Sequence, residues 1–371
     1  MIVVKVGTST LTHSTGKLDL RQMEKLVRDL ADLANQGKKP VLVSSGAVGA
    51  GVGRLGFTQR PRTLREKQAV AAVGQGILLQ MYEKLFAEYG WIVAQVLLTR
   101  DDFSDRRRYL NISHTFSQLL EFGVIPIVNE NDTTAVEELK FGDNDSLAAL
   151  VAGAVDADLL IILSDIDGLY NDNPRSNPQA ERISLIKEIT PEIEALAGGA
   201  GSALGTGGMG AKIQAAKICT NYGIPMVIAN GSEEGVLHRI IEGQEVGTLF
   251  LPHENKLRGK KKWIAYGSAI QGQLVIDAGA AKALLSGGKS LLPIGITQVS
   301  GTFDAGAAVS VFGPDGRELA RGITNYSSTE LELIKGKKSG DIEAVLGYKD
   351  YDEAIHRDNL VLWENSGGER G

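Results

Sequence analysis

Two lysines sit where a phosphoryl group could be handled. The first apolar run, Ile2 to Val6, carries Lys5 and passes directly into Gly7-Thr8-Ser9. Much later, Gly205-Thr206-Gly207-Gly208-Met209-Gly210-Ala211 leads into Lys212 at the start of an amphipathic helical stretch. Glycines let backbone amides approach an anion closely, and the helix that follows offers its positive N-terminal end. The later segment is not a P-loop, which needs Gly-Lys-Ser/Thr in succession; here Ala211 intervenes and Ile213 follows Lys212. It fits a phosphate-contacting loop that ends in a lysine.

Other polar segments follow apolar runs in the same way. Val41 to Val43 leads into Ser44-Ser45-Gly46-Ala47, and Leu159 to Leu163 into Ser164-Asp165, which could touch a nucleotide. The densest cluster is Asn129, Glu130, Asn131 and Asp132, followed by Gly142-Asp143-Asn144-Asp145-Ser146. Three readings are open for it. Asp143 or Asn144 could cap the helix begun by Leu147-Ala148-Ala149-Leu150. The carboxylates could hold a divalent metal, although the spacing lacks the Glu that closes an EF-hand. They could instead recognise an ammonium group, with one Asp reserved to hold the two lysines.

Phosphoryl transfer to a carboxylate accounts for the residue types present. Such an acceptor is already ionised at neutral pH, with a reference pKa of about 4.3 for Glu, so no general base is required. Catalysis then consists of alignment and of neutralising charge on the transferring group, which lysines and amides supply. The five histidines, His13, His114, His238, His253 and His356, show no triad or metal-ligand spacing and read as structural or surface residues.

These segments need a frame that brings distant strand ends together. Short apolar runs at Ile2–Val6, Val41–Val43, Ile92–Leu98, Val124–Val128, Leu159–Leu163 and Met226–Ala229 alternate with helical stretches, such as Leu20, Met23, Val27, Leu30 and Ala34. That alternation predicts an α/β fold, a mainly parallel sheet sandwiched by helices, and continuous apolar runs imply strands buried on both faces. Ligands of such sheets bind beyond the carboxyl ends of the strands, where the polar segments fall.

At 371 residues the chain exceeds one ordinary core, so two domains are expected. The composition, 43% hydrophobic and 23% charged, is that of a globular protein, and a net charge of −6 gives no general attraction to nucleic acid or anionic membrane. The single Cys219 excludes an intrachain disulfide and a cysteine-built zinc site, and its neighbours place it in a helix as a core residue. No run is long enough to span a membrane, and the N-terminus lacks the features of a signal peptide, so the expected location is cytoplasmic.

The composition changes at His253 to Lys262, where Lys256, Arg258, Lys260, Lys261 and Lys262 read as a solvated linker. Beyond it, Gln273–Ile276, Gly295–Ser300, Ala308–Phe312 and Glu318–Ile323 are short β-like pieces, with a turn at Pro314-Asp315-Gly316. They predict a small C-terminal β-barrel of ~90 to 110 residues. The expected organisation is a domain over 1–255, a linker over 256–262 and a second domain over 263–371.

Taken together, Lys-Val-Gly-Thr-Ser at 5–9, Ser-Ser-Gly-Ala at 44–47, Asn-Glu-Asn-Asp at 129–132, Gly-Asp-Asn-Asp at 142–145 and Gly-Thr-Gly-Gly-Met at 205–209 resemble the amino acid kinase superfamily, and within it the glutamate 5-kinase family. The resemblance covers essentially the whole chain. Asn173-Pro174-Arg175-Ser176-Asn177-Pro178 stands where that family usually has Asp-Pro-Arg-Ser-Asn-Pro in a mid-chain hairpin. The tail, with Leu291-Leu292-Pro293-Ile294-Gly295-Ile296 and Gly301-Thr302-Phe303, is similar to a PUA domain.

The resemblance implies ATP and L-glutamate as substrates, L-glutamyl 5-phosphate as product, a place at the first step of proline biosynthesis and feedback inhibition by proline. Lys5 and Lys212 would stabilise the transferring phosphoryl group, with Asp145 holding both. Ser45, Gly46, Asn129, Asp132, Asp143 and Asn144 would bind glutamate. Lys5, Gly7, Ser164, Asp165, Thr206, Gly207, Gly208, Met209, Gly210, Ala211 and Lys212 would contact ATP. Mg²⁺ would be carried by the nucleotide phosphates, with no protein metal site. A homo-oligomer, dimer or tetramer, is expected. The family more often has Thr at 164 and Ser-Thr at 210–211; both changes keep the backbone contacts.

Two rivals remain. A PUA-like tail suggests RNA binding, but Lys260 to Gly371 carries 13 Lys/Arg against 14 Asp/Glu, a net of −1, so nucleic acid is not the expected partner. A kinase for N-acetylglutamate, aspartate or carbamate is the other. Asp132 and the 142–145 cluster favour a free α-amino group, which disfavours the acetylated substrate.

Overall fold

A computed structural model describes residues 1–13, 15, 17–57, 61–135, 144–174, 176–197, 208–252 and 270–363. The expected linker at 256–262 lies outside the described residues. The chain divides into two compact units, one over Met1–Phe103 and Arg107–Leu257 and the other over Ser104–Arg106 and Arg258–Gly371.

The first unit is built on an eight-stranded sheet. Its strands are β1 (Ile2–Val6), β2 (Pro40–Ser44), β3 (Val93–Leu98), β4 (Ile125–Glu130), β5 (Leu159–Ser164), β8 (Leu185–Ile186), β9 (Met226–Asn230) and β10 (Thr248–Phe250). A two-stranded hairpin, β6 (Leu169–Tyr170) with β7 (Arg182–Ile183), stands apart and encloses the Asn173–Pro178 run. The sheet order is β3-β4-β2-β1-β5-β9-β10-β8, and within it only β9 and β10 pair antiparallel. The first strand is therefore central, with β2 on one side and β5 on the other, and the chain reverses its direction of winding there. Such a switch point opens a crevice at the carboxyl ends of the strands.

Among the described residues ten α-helices accompany this sheet: α1 (Thr8–Leu11), α2 (Leu20–Asn35), α3 (Ala47–Leu55), α4 (Leu64–Ala87), α5 (Arg100–Ser104), α6 (Arg106–Glu121), α7 (Asn144–Ala154), α8 (Pro191–Ala197), α9 (Met209–Asn221) and α10 (Val236–Ile241). Asp19 caps α2 through the Gln22 amide, and Thr63 with Glu66 forms a capping box on α4. Each device satisfies amides that the first helical turn leaves unpaired, worth about 1 kcal/mol. Met23, Val27, Leu30 and Ala34 are buried as their spacing requires, while Leu20 on the first turn is exposed.

The alternation of side chains along β1 decides where Lys5 points. Ile2, Val4 and Val6 enter a core with α2, Leu78, Tyr82 and Phe86 of α4, and Leu237 of α10. Val3 and Lys5 therefore face the other side, where α7 packs over β1, β2, β4 and β5 and α9 packs on α7.

The six expected apolar runs are all strands, though Ile92 and Val124 fall just outside theirs. The last two strands of the sheet order, β10 and the edge strand β8, are three and two residues long, too short to register as apolar runs.

The second unit carries a five-stranded sheet in the order β12-β11-β13-β14-β15. Its strands are β11 (Ile270–Ile276), β12 (Ile296–Ser300), β13 (Ala308–Phe312), β14 (Glu318–Ile323) and β15 (Leu360–Leu362), all antiparallel except for the β11–β13 pair. Pro314-Asp315-Gly316 turns between β13 and β14, with Gly316 at φ +77°. Among the described residues three α-helices, α11 (Ala278–Gly287), α12 (Ser328–Ile334) and α13 (Ile342–Leu346), complete a separate core that includes Leu284, Leu331 and Ile342. Neither those helices nor β15 was expected from the glycine-punctuated pattern, which signals turns more strongly than short helices.

Candidate active site

Three charged side chains meet beside β1. Asp145, on the first turn of α7, is fully buried; one of its carboxylate oxygens pairs with Lys5 Nζ, and the other lies 3.1 Å from Lys212 Nζ. Lys5 and Lys212 are each only 4% exposed. The sequence brings them together for separable reasons. Lys5 interrupts a strand otherwise made of Ile and Val, on the face that α7 covers. Asp145 sits at a helix N-terminus, where the dipole favours a negative charge. Lys212 follows the α9 N-cap, Gly208, and its amide bonds back to the Gly208 carbonyl at 3.4 Å. Two ammoniums around one carboxylate, in a site with little water, form an arrangement suited to receiving further negative charge.

The turns at the neighbouring strand ends are shaped by glycine. A Cβ at Gly7 would lie 3.9 Å from Lys5 Nζ, so the missing side chain leaves open the space in front of the ammonium. Gly46, between β2 and α3, has φ +97°, a conformation that other residues rarely adopt. Gly74 of α4 approaches α3 so closely that a Cβ there would meet the Ala47 carbonyl oxygen at 1.7 Å. The start of α3, directly after Ser45 and Gly46, is thereby held against α4.

A second group of polar side chains is buried beside the first. Asn144 Nδ2 donates to the Ser44 carbonyl at 2.6 Å and to Asn129 Oδ1 at 2.7 Å. Asn129 Nδ2 donates to Gln75 Oε1 at 3.1 Å, and Gln75 Nε2 to the Glu130 carbonyl at 3.1 Å. Ser44 Oγ lies 2.9 Å from the Tyr82 hydroxyl, and burial pushes the Tyr82 phenol well above its usual range. Asp132, in the turn after β4, is half-buried.

Ser164 closes β5 with its Oγ donating to Asp165 Oδ1 at 3.1 Å; Ser164 is buried and Asp165 exposed. Gly208, Met209, Gly210 and Ala211 form the N-cap and first turn of α9, with Gly208 and Gly210 exposed. Asp143, Thr206 and Gly207 lie outside the described residues. Cys219 is buried and its thiol pushed up by desolvation, which fits a core residue. His238 lies 3.5 Å from Asp32, an aspartate of α2. Gln75 and Tyr82 carry no signal in the motif pattern, and Ser44 enters it only as part of the Ser44–Ala47 segment. The signal for Gln75 lies outside that pattern: it is a lone amide within the apolar stretch Ala69 to Leu79.

Against this geometry, the profile of the amino acid kinase family matches residues 1–230, and that of the PUA domain matches residues 272–346. The chain belongs to the amino acid kinase family. Curated relatives cover nearly its full length. The glutamate 5-kinase of Moorella thermoacetica is 59% identical over 97% of this chain and 96% of its own. That of Caldanaerobacter subterraneus subsp. tengcongensis is 59% identical over 98% of both, and that of Pelobacter propionicus 50% identical over 97% of both. A solved UMP kinase from Bacillus anthracis overlays with a TM-score of 0.47 at 16% identity, covering 70% of this chain and 98% of its own, a likeness too distant to carry any argument. As an amino acid kinase family member, the chain places its buried lysine–aspartate–lysine group inside the matched region. Among the described residues no helix is long and apolar enough to cross a membrane.

Proposed function

We propose that this protein transfers the γ-phosphoryl group of ATP to the γ-carboxylate of L-glutamate, giving L-glutamyl 5-phosphate at the first step of proline biosynthesis. The observation that carries the mechanism is the buried group of Lys5, Asp145 and Lys212 at the switch point of the sheet. Likeness to glutamate 5-kinases that are 59% identical over nearly the whole chain supports glutamate as the acceptor.

In this reading the two ammoniums stabilise charge on the transferring phosphoryl group, and Asp145 fixes both. The acceptor carboxylate attacks without a base, since it is ionised at neutral pH. Ser45, Gly46, Asn129, Asp132, Asp143 and Asn144 hold glutamate. Gly7, Ser164, Asp165 and the Thr206–Lys212 segment hold ATP. Asp145 is engaged by two ammoniums, so a divalent ion fits on the nucleotide phosphates rather than on this carboxylate; Mg²⁺ there would neutralise phosphate charge. Inhibition by proline, a homo-oligomeric state and a cytoplasmic location belong to the same proposal.

An ATP-consumption assay across L-glutamate, N-acetylglutamate, aspartate and carbamate tests it. Turnover with glutamate well above the other three is expected. Preference for any of the others would replace glutamate as the acceptor, and activity with none would remove the kinase reading.

A further inference from the structure

The amide group of Asn144 is oriented by a chain of hydrogen bonds that begins at α4. Its fixed points are the backbone groups of Glu130, whose N–H can only donate and whose carbonyl can only accept. The Glu130 N–H donates to Asn129 Oδ1 at 2.9 Å, which makes that atom the oxygen and turns Asn129 Nδ2 toward Gln75. Gln75 meets this donor with Oε1 and places its own Nε2 on the Glu130 carbonyl, so neither amide can flip without losing at least two bonds. Asn144 then faces two acceptors, Asn129 Oδ1 and the Ser44 carbonyl, and must present its NH₂ to both. Both Nδ2 protons are used, and among the described residues no donor reaches Asn144 Oδ1. The Asn144 oxygen is thereby kept as an acceptor for an ammonium group.

We infer that Gln75 is a positioning residue for substrate recognition: by locking the Asn129 amide it holds Asn144 with its acceptor oxygen available to the α-ammonium of an amino acid. This deepens the proposed function and rests on its reading that an amino acid binds at Asn144. Gln75 is suited to the role by placement. It is 8% exposed, and it follows Gly74, whose contact with the Ala47 carbonyl fixes the height of α4. One α4 face supplies both supports of the site, Gln75 on β4 and, seven residues on, Tyr82 on Ser44 of β2. A purely apolar residue at 75 would fill the same space but would leave Asn129 Nδ2 and the Glu130 carbonyl without this partner.

The test is steady-state kinetics of the full chain with Gln75→Leu, beside Gln75→Glu in case the first fails to fold. The expected result is a rise in KM for L-glutamate of about tenfold or more, with KM for ATP within about twofold of the parent. An unchanged glutamate KM with only a lower Tm, or an equal rise in both KM values, overturns the inference and makes Gln75 structural. A crystal structure of the same variant reads the inference without substrate. Asn144 Nδ2 is expected to lose its paired contacts to Ser44 and Asn129, and retention of both overturns it. Failure of the parent protein to phosphorylate glutamate would sink the proposed function alone, leaving this second reading to decide whether Gln75 orients Asn144.

Discussion

Lys212 Nζ lies 3.1 Å from Asp145 Oδ2, joining the first turns of α9 and α7 across 67 positions of sequence. Lys5 reaches the other carboxylate oxygen from β1, so three separate elements close on one buried anion. Lys5→Ala and Lys212→Ala are each expected to lower kcat by at least ~10²-fold, the usual cost of losing one preorganised donor to a transferring group. Near-normal turnover of both variants in an ATP-consumption assay would remove the two-lysine mechanism.

Asp145→Asn makes a different demand. It removes the anion between two buried ammoniums, and taking one partner from a buried ionic group costs about 3–5 kcal/mol. The variant is expected to melt at a lower temperature than either lysine variant, besides being inactive. Thermal denaturation of the three side by side checks the order, and an Asp145→Asn protein at least as stable as both others would contradict it.

Much of this site was legible in the sequence because its parts carry local signals. A lysine inside an apolar strand, a glycine-rich approach to a helix, and carboxylates before an apolar helical run each announce themselves. The parallel sheet was legible for the same reason, through six apolar runs separated by helical spacing. Gln75 and Tyr82 were not, since each lies within the helical pattern of α4 and acquires its role only when α4 is laid against β2 and β4. Sequence spacing gives the face of a helix but not what that face touches. The close contact of Gly74 with Ala47 is likewise invisible before α3 and α4 are packed.

That contact yields a prediction of its own. The Cβ introduced by Gly74→Ala would fall 1.7 Å from the Ala47 carbonyl oxygen and 2.8 Å from the Gly51 backbone nitrogen, neither of which can rotate away. The helices must separate, at a cost of about 1–3 kcal/mol, and the Ser45–Gly46 turn moves with α3. Both a lower Tm and a raised KM for glutamate are expected. The same substitution at Gly76, where nothing lies within 4 Å, should leave Tm unchanged or raise it. Equal behaviour of the two variants would show that the α3–α4 contact does not matter.

Asp132 is half-buried in the turn after β4, beside the strand that carries Asn129. If it meets the ammonium of glutamate, Asp132→Ala should raise KM for glutamate by about tenfold or more while kcat and KM for ATP change little. An unchanged glutamate KM would move the substrate site elsewhere.

The second unit offers a test of pH dependence. Burial pushes the Glu330 carboxyl up, but hydrogen bonds from Tyr348 and from the Ser327 hydroxyl and amide outweigh it and hold the carboxyl below its ordinary value of 4.5. A carboxylate whose pKa is lower in the folded state contributes stability that is present above its unfolded pKa and is lost as pH falls through the folded value. Glu330→Gln should therefore lower the Tm of the second unit's transition at neutral pH. The gap between parent and variant should narrow as pH falls from about 5 to about 3, because the parent then becomes protonated as well. Thermal melts across that range check it: a gap that stays constant down to pH ~3 would show that the Glu330 charge contributes nothing, and that only the shape of the side chain matters to the α12 cap.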